Sequence, residues 1–132
     1  DTPAAFMEMT PSEQRKWAND LADRVEAPDE EAPAICVLDS GSTRLHPLIK
    51  PALAPGDQQS WNAAWTIEDV GVQWRGHGTR MSGIALYGDL TPLLVANGPV
   101  PLTHRLESVK ILPDHGANDP ILYGYITAAA IS

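Results

Sequence analysis

Apolar residues in this chain come in short runs separated by turn-forming residues. Between positions 10 and 25 they recur at Trp17, Leu21 and Val25 in an otherwise polar stretch, and spacing by four puts them on one face of a helix. Thr10-Pro11-Ser12-Glu13 supplies the start signal, with Thr10 as N-cap, Pro11 at the first helical position and Glu13 placed to close a capping box. Three apolar residues make a narrow stripe, so this helix is expected to pack on something larger. Residues 1–9 give no pattern, and residues 26–33 form a linker rich in Pro and acid.

Ala34-Ile35-Cys36-Val37-Leu38 is an apolar run that stops on Asp39-Ser40-Gly41, the signature of a buried strand ending in a sharp turn. A short helical turn is expected before Pro51. Residues 54–66, with Pro55-Gly56-Asp57, Trp61 and Trp65, read as a surface loop carrying packed aromatics. Thr66 to Trp74 has the composition of an exposed or short strand, through Ile67, Val70, Val72 and Trp74. A helix then opens at Gly76-His77 and runs to about Leu86, with Gly78, Ser82 and Gly83 small enough for close backbone approach.

Leu93-Leu94-Val95 is apolar and short, and Asn97-Gly98-Pro99 is a turn. His104 to Leu112 is a second good strand, on Leu106, Val109 and Ile111. Asp119 as N-cap and Pro120 at the first position open a last helix through Ile131. Strands alternating with helices predict an α/β fold with a parallel sheet. The expected organisation is an acidic helix and linker over 1–33, followed by one unit over 34–132. There is no internal repeat and no low-complexity segment.

Composition narrows the function classes. The 132 residues are 43% hydrophobic and 20% charged, ordinary for a globular chain and enough for one core. The net charge of −8 argues against nucleic acid or a membrane surface as partner, since both favour clustered Lys and Arg. Nine of the 17 acidic residues fall in the first 33 positions, where a charge run most simply makes a solvated face. No apolar run approaches the roughly 20 residues that span a bilayer. The single Cys36 excludes an intrachain disulfide, and its place in an apolar strand predicts a small buried hydrophobe. With no signal segment in view, a cytoplasmic setting is weakly favoured; the chain opens on Asp1 rather than Met, so the natural start, or a removed leader, stays an open matter.

The candidate chemistry lies in a pair. Alone, Asp39 reads as a turn former and His77 as a satisfied structural histidine. Together they are an Asp closing a strand and a Gly-flanked His opening a helix, 38 positions later. A carboxylate that accepts from one imidazole nitrogen fixes the tautomer and leaves the other nitrogen free as a general base.

At these residues the sequence resembles the subtilisin-like serine peptidases, the subtilases of peptidase family S8. The Asp motif is Ile35-Cys36-Val37-Leu38-Asp39-Ser40-Gly41 with His46-Pro47 after it. The His motif is His77-Gly78-Thr79-Arg80-Met81-Ser82-Gly83, and Ser108-Val109-Lys110-Ile111-Leu112 is similar to a further family strand. The resemblance covers about Ala34 to Ser132. It implies a three-layer, doubly wound parallel sheet, of which this chain would be the N-terminal half, and it implies peptide-bond hydrolysis by an Asp-His-Ser triad on a peptide or protein substrate. Asp39 would orient the histidine and His77 would be the base; the order Asp, His, Ser is a known property of subtilisin. Arg80 stands where the commonest members have His, and Ser82 where they have Ala.

The larger departure is that no serine here has the family's Gly-Thr-Ser context, and no oxyanion-hole Asn is present. Without them Asp39 and His77 cannot run acyl transfer, so the chain alone is expected to be inactive and its partner to be the remaining C-terminal half of the domain. Many subtilases bind calcium, but no ligand set maps onto this stretch. The segments His77–Leu90 and Leu106–Leu112 are also similar to a bacterial branch often paired with an AAA-type ATPase, which implies such a partner and a docking role for the acidic segment. Half a parallel sheet further implies self-association through an exposed strand edge.

Two other readings compete. One is a non-catalytic module that keeps the subtilase half-fold. The other is a phosphate loop of the actin-like and sugar-kinase type at Asp39-Ser40-Gly41-Ser42-Thr43. That loop belongs to a hairpin, whereas Pro47 and Pro51 stand where the return strand would be. His104, Asp114 and His115 include metal-ligand types, but their spacing fits no ligand pattern and they read as surface loops.

Overall fold

The computed structural model describes residues 8–132, so the first seven residues of the acidic segment lie outside the described part. Helix α1 spans Pro11–Arg24. Its capping box is complete: the Glu13 N–H donates to Thr10 Oγ1 at 3.2 Å and the Thr10 N–H to Glu13 Oε2 at 2.8 Å. Leu21, fully buried, packs with Leu48 and Leu94, and Trp17, Ala18 and Val25 close around them. At the other end of α1 the Arg24 guanidinium donates to the carbonyls of Leu93, at 2.7 Å, and Gly98, at 3.0 Å. Helix α1 is thereby seated on residues 93–98.

Among the described residues, five strands form two parallel sheets. In the smaller, β1 (Val25–Glu26) pairs with β4 (Val100–Pro101). In the larger, β5 (Arg105–Lys110) lies between β2 (Ala34–Asp39) and β3 (Gln58–Ser60), in the order β2-β5-β3. Asp39, Lys110 and Ser60 stand in one row at the carboxyl ends. Helix α2 (His77–Tyr87) packs on β2 and β5, and α3 (Thr91–Val95) lies against α1. A 3-10 turn at Pro120–Leu122, with the Ile121 N–H on Asp119 Oδ1, leads into α4 (Tyr123–Ala130). Among the described residues all pairings are parallel and helix α2 packs on the sheet, so the α/β expectation holds. No helix among the described residues is long and apolar enough to cross a membrane.

The main core joins Ile49, Ala52, Leu53, Leu86, Leu102 and Leu106. On β5 the buried positions alternate as Leu106, Ser108 and Lys110, the period-2 pattern of a strand covered on one face.

Four expectations need correction. No residue of β2 is fully buried, and Cys36 is exposed rather than a buried hydrophobe. Its cross-strand partner is Glu107, on the face opposite Leu106, where an open cleft is flanked by Gly56, Asp57 and the end of the chain at residues 130–132. Residues 66–74 form bends and a 3-10 turn at Val72–Trp74 instead of a strand. The β-branched residues there point outward, Val72 being 83% exposed. A strand, β3, instead lies within the stretch read as a loop, and the two-residue β1 and β4 were not expected either. Finally, Asp114 is no idle surface residue, because it pairs with the buried ammonium of Lys110.

Candidate active site

Two close approaches build the site. Gly41 takes φ +101° as the chain turns off β2, a conformation that L side chains rarely adopt. Its carbonyl then lies against the first turn of α2, where a β-carbon on Gly78 would sit 1.9 Å from the Gly41 oxygen. Only glycine at 78 lets strand end and helix start touch. Helix α2 is capped by Gly76 in the left-handed conformation, φ +69°, and His77 is its first residue.

This contact brings together the two residues singled out in the sequence. His77 Nδ1 lies 2.8 Å from each carboxylate oxygen of Asp39. A carboxylate only accepts, so Nδ1 carries the proton and the lone pair is on Nε2. The Asp39 side chain is 12% exposed and that of His77 50%; the carboxylate is sheltered while the imidazole reaches the surface. Nε2 has no hydrogen-bond partner among the described residues. Asp39 Oδ1 also accepts from the Ser40 N–H at 2.7 Å, which turns the carboxylate toward the helix. The pair can take a proton from a nucleophile brought to Nε2.

A second layer lies behind it. Asp69 Oδ1 accepts from Ser40 Oγ at 2.8 Å, while Oδ2 accepts from the Thr79 N–H at 3.0 Å and Thr79 Oγ1 at 2.7 Å. Ser42 and Ser82 share a hydroxyl bond of 2.6 Å, and the Gln58 amide donates to the Ser42 carbonyl at 2.8 Å. Below, Lys110 Nζ donates to the Glu68 carbonyl at 2.6 Å, to Thr66 Oγ1 at 3.1 Å and to Asp114 Oδ1. Hydrogen bonding from Lys110 holds the Asp114 carboxyl below the usual range, against an opposing contribution from desolvation. Sequence reasoning missed Asp69 and Gln58. For Lys110 a signal existed, since it shares strand parity with Leu106.

The subtilase family model matches residues 30–132. The chain belongs to the subtilase family. No curated protein and no solved structure matches it. The match spans Asp39, His77 and the Lys110 strand, so the likeness in sequence and the carboxylate–imidazole contact fall in the same stretch.

Within this subtilase no serine hydroxyl among the described residues is hydrogen-bonded to His77. Ser40 is fully buried and its hydroxyl is taken up by Asp69 and the Gly78 N–H. No group of three or more His, Cys, Asp or Glu side chains among the described residues gathers in a way that could hold a metal ion. His104 Nε2 faces the Ala85 carbonyl at 2.8 Å, and His115 is exposed. Residues 44–52 form turns, so the return strand that a phosphate hairpin needs does not follow Gly41.

Proposed function

We propose that this chain supplies the acid–base half of a serine endopeptidase, with Asp39 orienting His77 and His77 acting as general base. The observation that carries this reading is the 2.8 Å contact from His77 Nδ1 to both Asp39 oxygens, with half of the imidazole exposed. The nucleophilic serine, in a Gly-Thr-Ser context, and an oxyanion-hole Asn would be supplied from outside these 132 residues. The serine hydroxyl would meet Nε2, pass its proton to it and attack the scissile carbonyl; the imidazolium would then return that proton to the leaving amine. The 132-residue chain alone performs none of these steps.

In the full-length protein, Asp39→Asn is expected to lower kcat by about four orders of magnitude through loss of the correct tautomer, and His77→Ala, which removes the base itself, by about six. Wild-type-like turnover in either variant sinks the assignment. The isolated chain is expected to stay unlabelled by fluorophosphonate serine probes.

A non-catalytic role is the second reading, favoured by one observation: no described serine hydroxyl is bonded to His77. A gene with no Gly-Thr-Ser after Ser132 would decide for it. A AAA-type ATPase remains our proposal for a partner of the acidic segment, whose helix α1 shows solvent a polar face with Glu13 and Asp20.

A further inference from the structure

Helix α2 carries His77 at its first position, yet its cap is a glycine with no side chain to receive the orphan amides of the first turn. Those amides are met from elsewhere in the chain. The Gly78 N–H donates to Ser40 Oγ at 2.9 Å and the Thr79 N–H to Asp69 Oδ2 at 3.0 Å. Asp69 thus does the work of an N-cap from eight positions upstream, with its negative charge at the positive end of the helix. Its other oxygen accepts from Ser40 Oγ at 2.8 Å, and the Ser40 N–H is itself bonded to Asp39 Oδ1. One carboxylate therefore grips the helix start that aims His77 and the turn that aims Asp39.

Asp69 is in turn held in place. The preceding carbonyl, that of Glu68, accepts from the buried Lys110 ammonium at 2.6 Å, and Glu68 Oε2 accepts from the Arg44 N–H at 3.3 Å. The backbone of residues 67 and 68 leaves only 3.1 Å to a β-carbon at Gly41. The segment lacks helix or strand, yet the central strand and the turn after β2 fix it from both sides.

We propose that Asp69 is a positioning residue: through Ser40 and Thr79 it sets the distance and alignment of the Asp39–His77 hydrogen bond. Replacing its carboxylate removes the acceptor of three donors at once. Ser40 and the first turn of α2 then lose their common reference, and the imidazole loses its fixed aim. The kinetic consequence rests on the peptidase reading above; the geometric one does not.

The test has two readouts. The first is the low-field Nδ1–H proton resonance of His77, followed by NMR in Asp69→Asn, Asp69→Ala and the milder Ser40→Ala, with Asp39→Asn as reference. The second is kcat and KM for peptide hydrolysis in the full-length protein. We expect each Asp69 variant to broaden or shift the Nδ1–H resonance, and to lower kcat about 10- to 100-fold with KM within about twofold, the range typical when a supporting hydrogen-bond partner is lost. Ser40→Ala, which is nearly isosteric, should do the same more weakly and answers the question if the Asp69 variants do not fold. A sharp, unshifted Nδ1–H resonance in folded Asp69→Asn or Ser40→Ala overturns the proposal. If Asp39→Asn abolishes the resonance but leaves hydrolysis intact, the peptidase reading fails while the resonance still decides for or against Asp69.

Discussion

Gly78 and Gly41 touch backbone to backbone: a β-carbon on Gly78 would lie 1.9 Å from the Gly41 carbonyl oxygen and 3.0 Å from its nitrogen. Every other feature of the site depends on this approach, because it sets the end of β2 beside the start of α2. The Ser42–Ser82 hydroxyl bond and the bond from Ser82 Oγ to the Gly78 carbonyl, 2.9 Å, reinforce it.

Gly78→Ala should therefore destabilise the chain by about 1–3 kcal/mol or more, since the obstructing atoms are backbone and cannot step aside. Gly83→Ala is the matched control. It lies in the same helix, and nothing stands within 4 Å of its β-carbon position, so it should stabilise by roughly 0.5–1 kcal/mol through helix propensity. Urea unfolding of the two variants checks both signs. Equal effects would mean that the close approach is not required.

The Lys110–Asp114 pair predicts a pH dependence. Hydrogen bonding from Lys110 depresses the Asp114 carboxyl in the folded state, so the unfolded chain binds that proton more readily. The stabilisation is then complete above the ordinary Asp pKa, near 4, and is lost as pH falls through the lower folded value. Asp114→Asn should make the acid limb of the stability curve shallower. At neutral pH it should cost about 1–3 kcal/mol, because Lys110 is fully buried and keeps only neutral acceptors, the Glu68 carbonyl and Thr66 Oγ1. Unfolding midpoints at pH 7 and pH 3 for both proteins test this; identical differences at the two pH values would refute it.

What could be read from the sequence was what is local. The capping box at Thr10 and Glu13 is a three-residue relation, and helix α1 follows it almost to the residue. The run into Asp39 and the Gly-His-Gly start of α2 are equally local, and their chemical meaning came from their pairing and from the family resemblance. Contacts without a period stayed hidden. Strand β3 is Gln58-Gln59-Ser60, polar throughout, and is a strand only because β5 lies beside it. Residues 66–74 carry strand-like side chains, but Thr66 and Glu68 are bound to Lys110 and Arg75 turns left-handed at φ 53°. Asp69 reaches Ser40 across 29 positions and Thr79 across 10, separations that no helix or strand repeat marks. Cys36 was misjudged because an apolar run says nothing about which face of a sheet the rest of the chain covers.

Cys36 offers the last test. It is exposed on β2, next to the free edge of the sheet, and its thiol is pushed up by desolvation and then by the charge of Glu107. The thiolate is the reactive form. Iodoacetamide should therefore modify Cys36 without unfolding, but more slowly at pH 7.5 than it modifies a free thiol. Glu107→Gln should raise the rate by roughly twofold or more, as expected for removal of a partly screened like charge. Among the described residues, the same edge exposes Ile35, at 41%, and leaves β2 with unpaired backbone groups, which is why the chain is expected to self-associate there. If so, light scattering should show species larger than a monomer, and alkylation of Cys36 should slow as protein concentration rises. A monomer whose labelling rate is independent of concentration would refute edge pairing, and a thiol that reacts only in urea would refute its exposure.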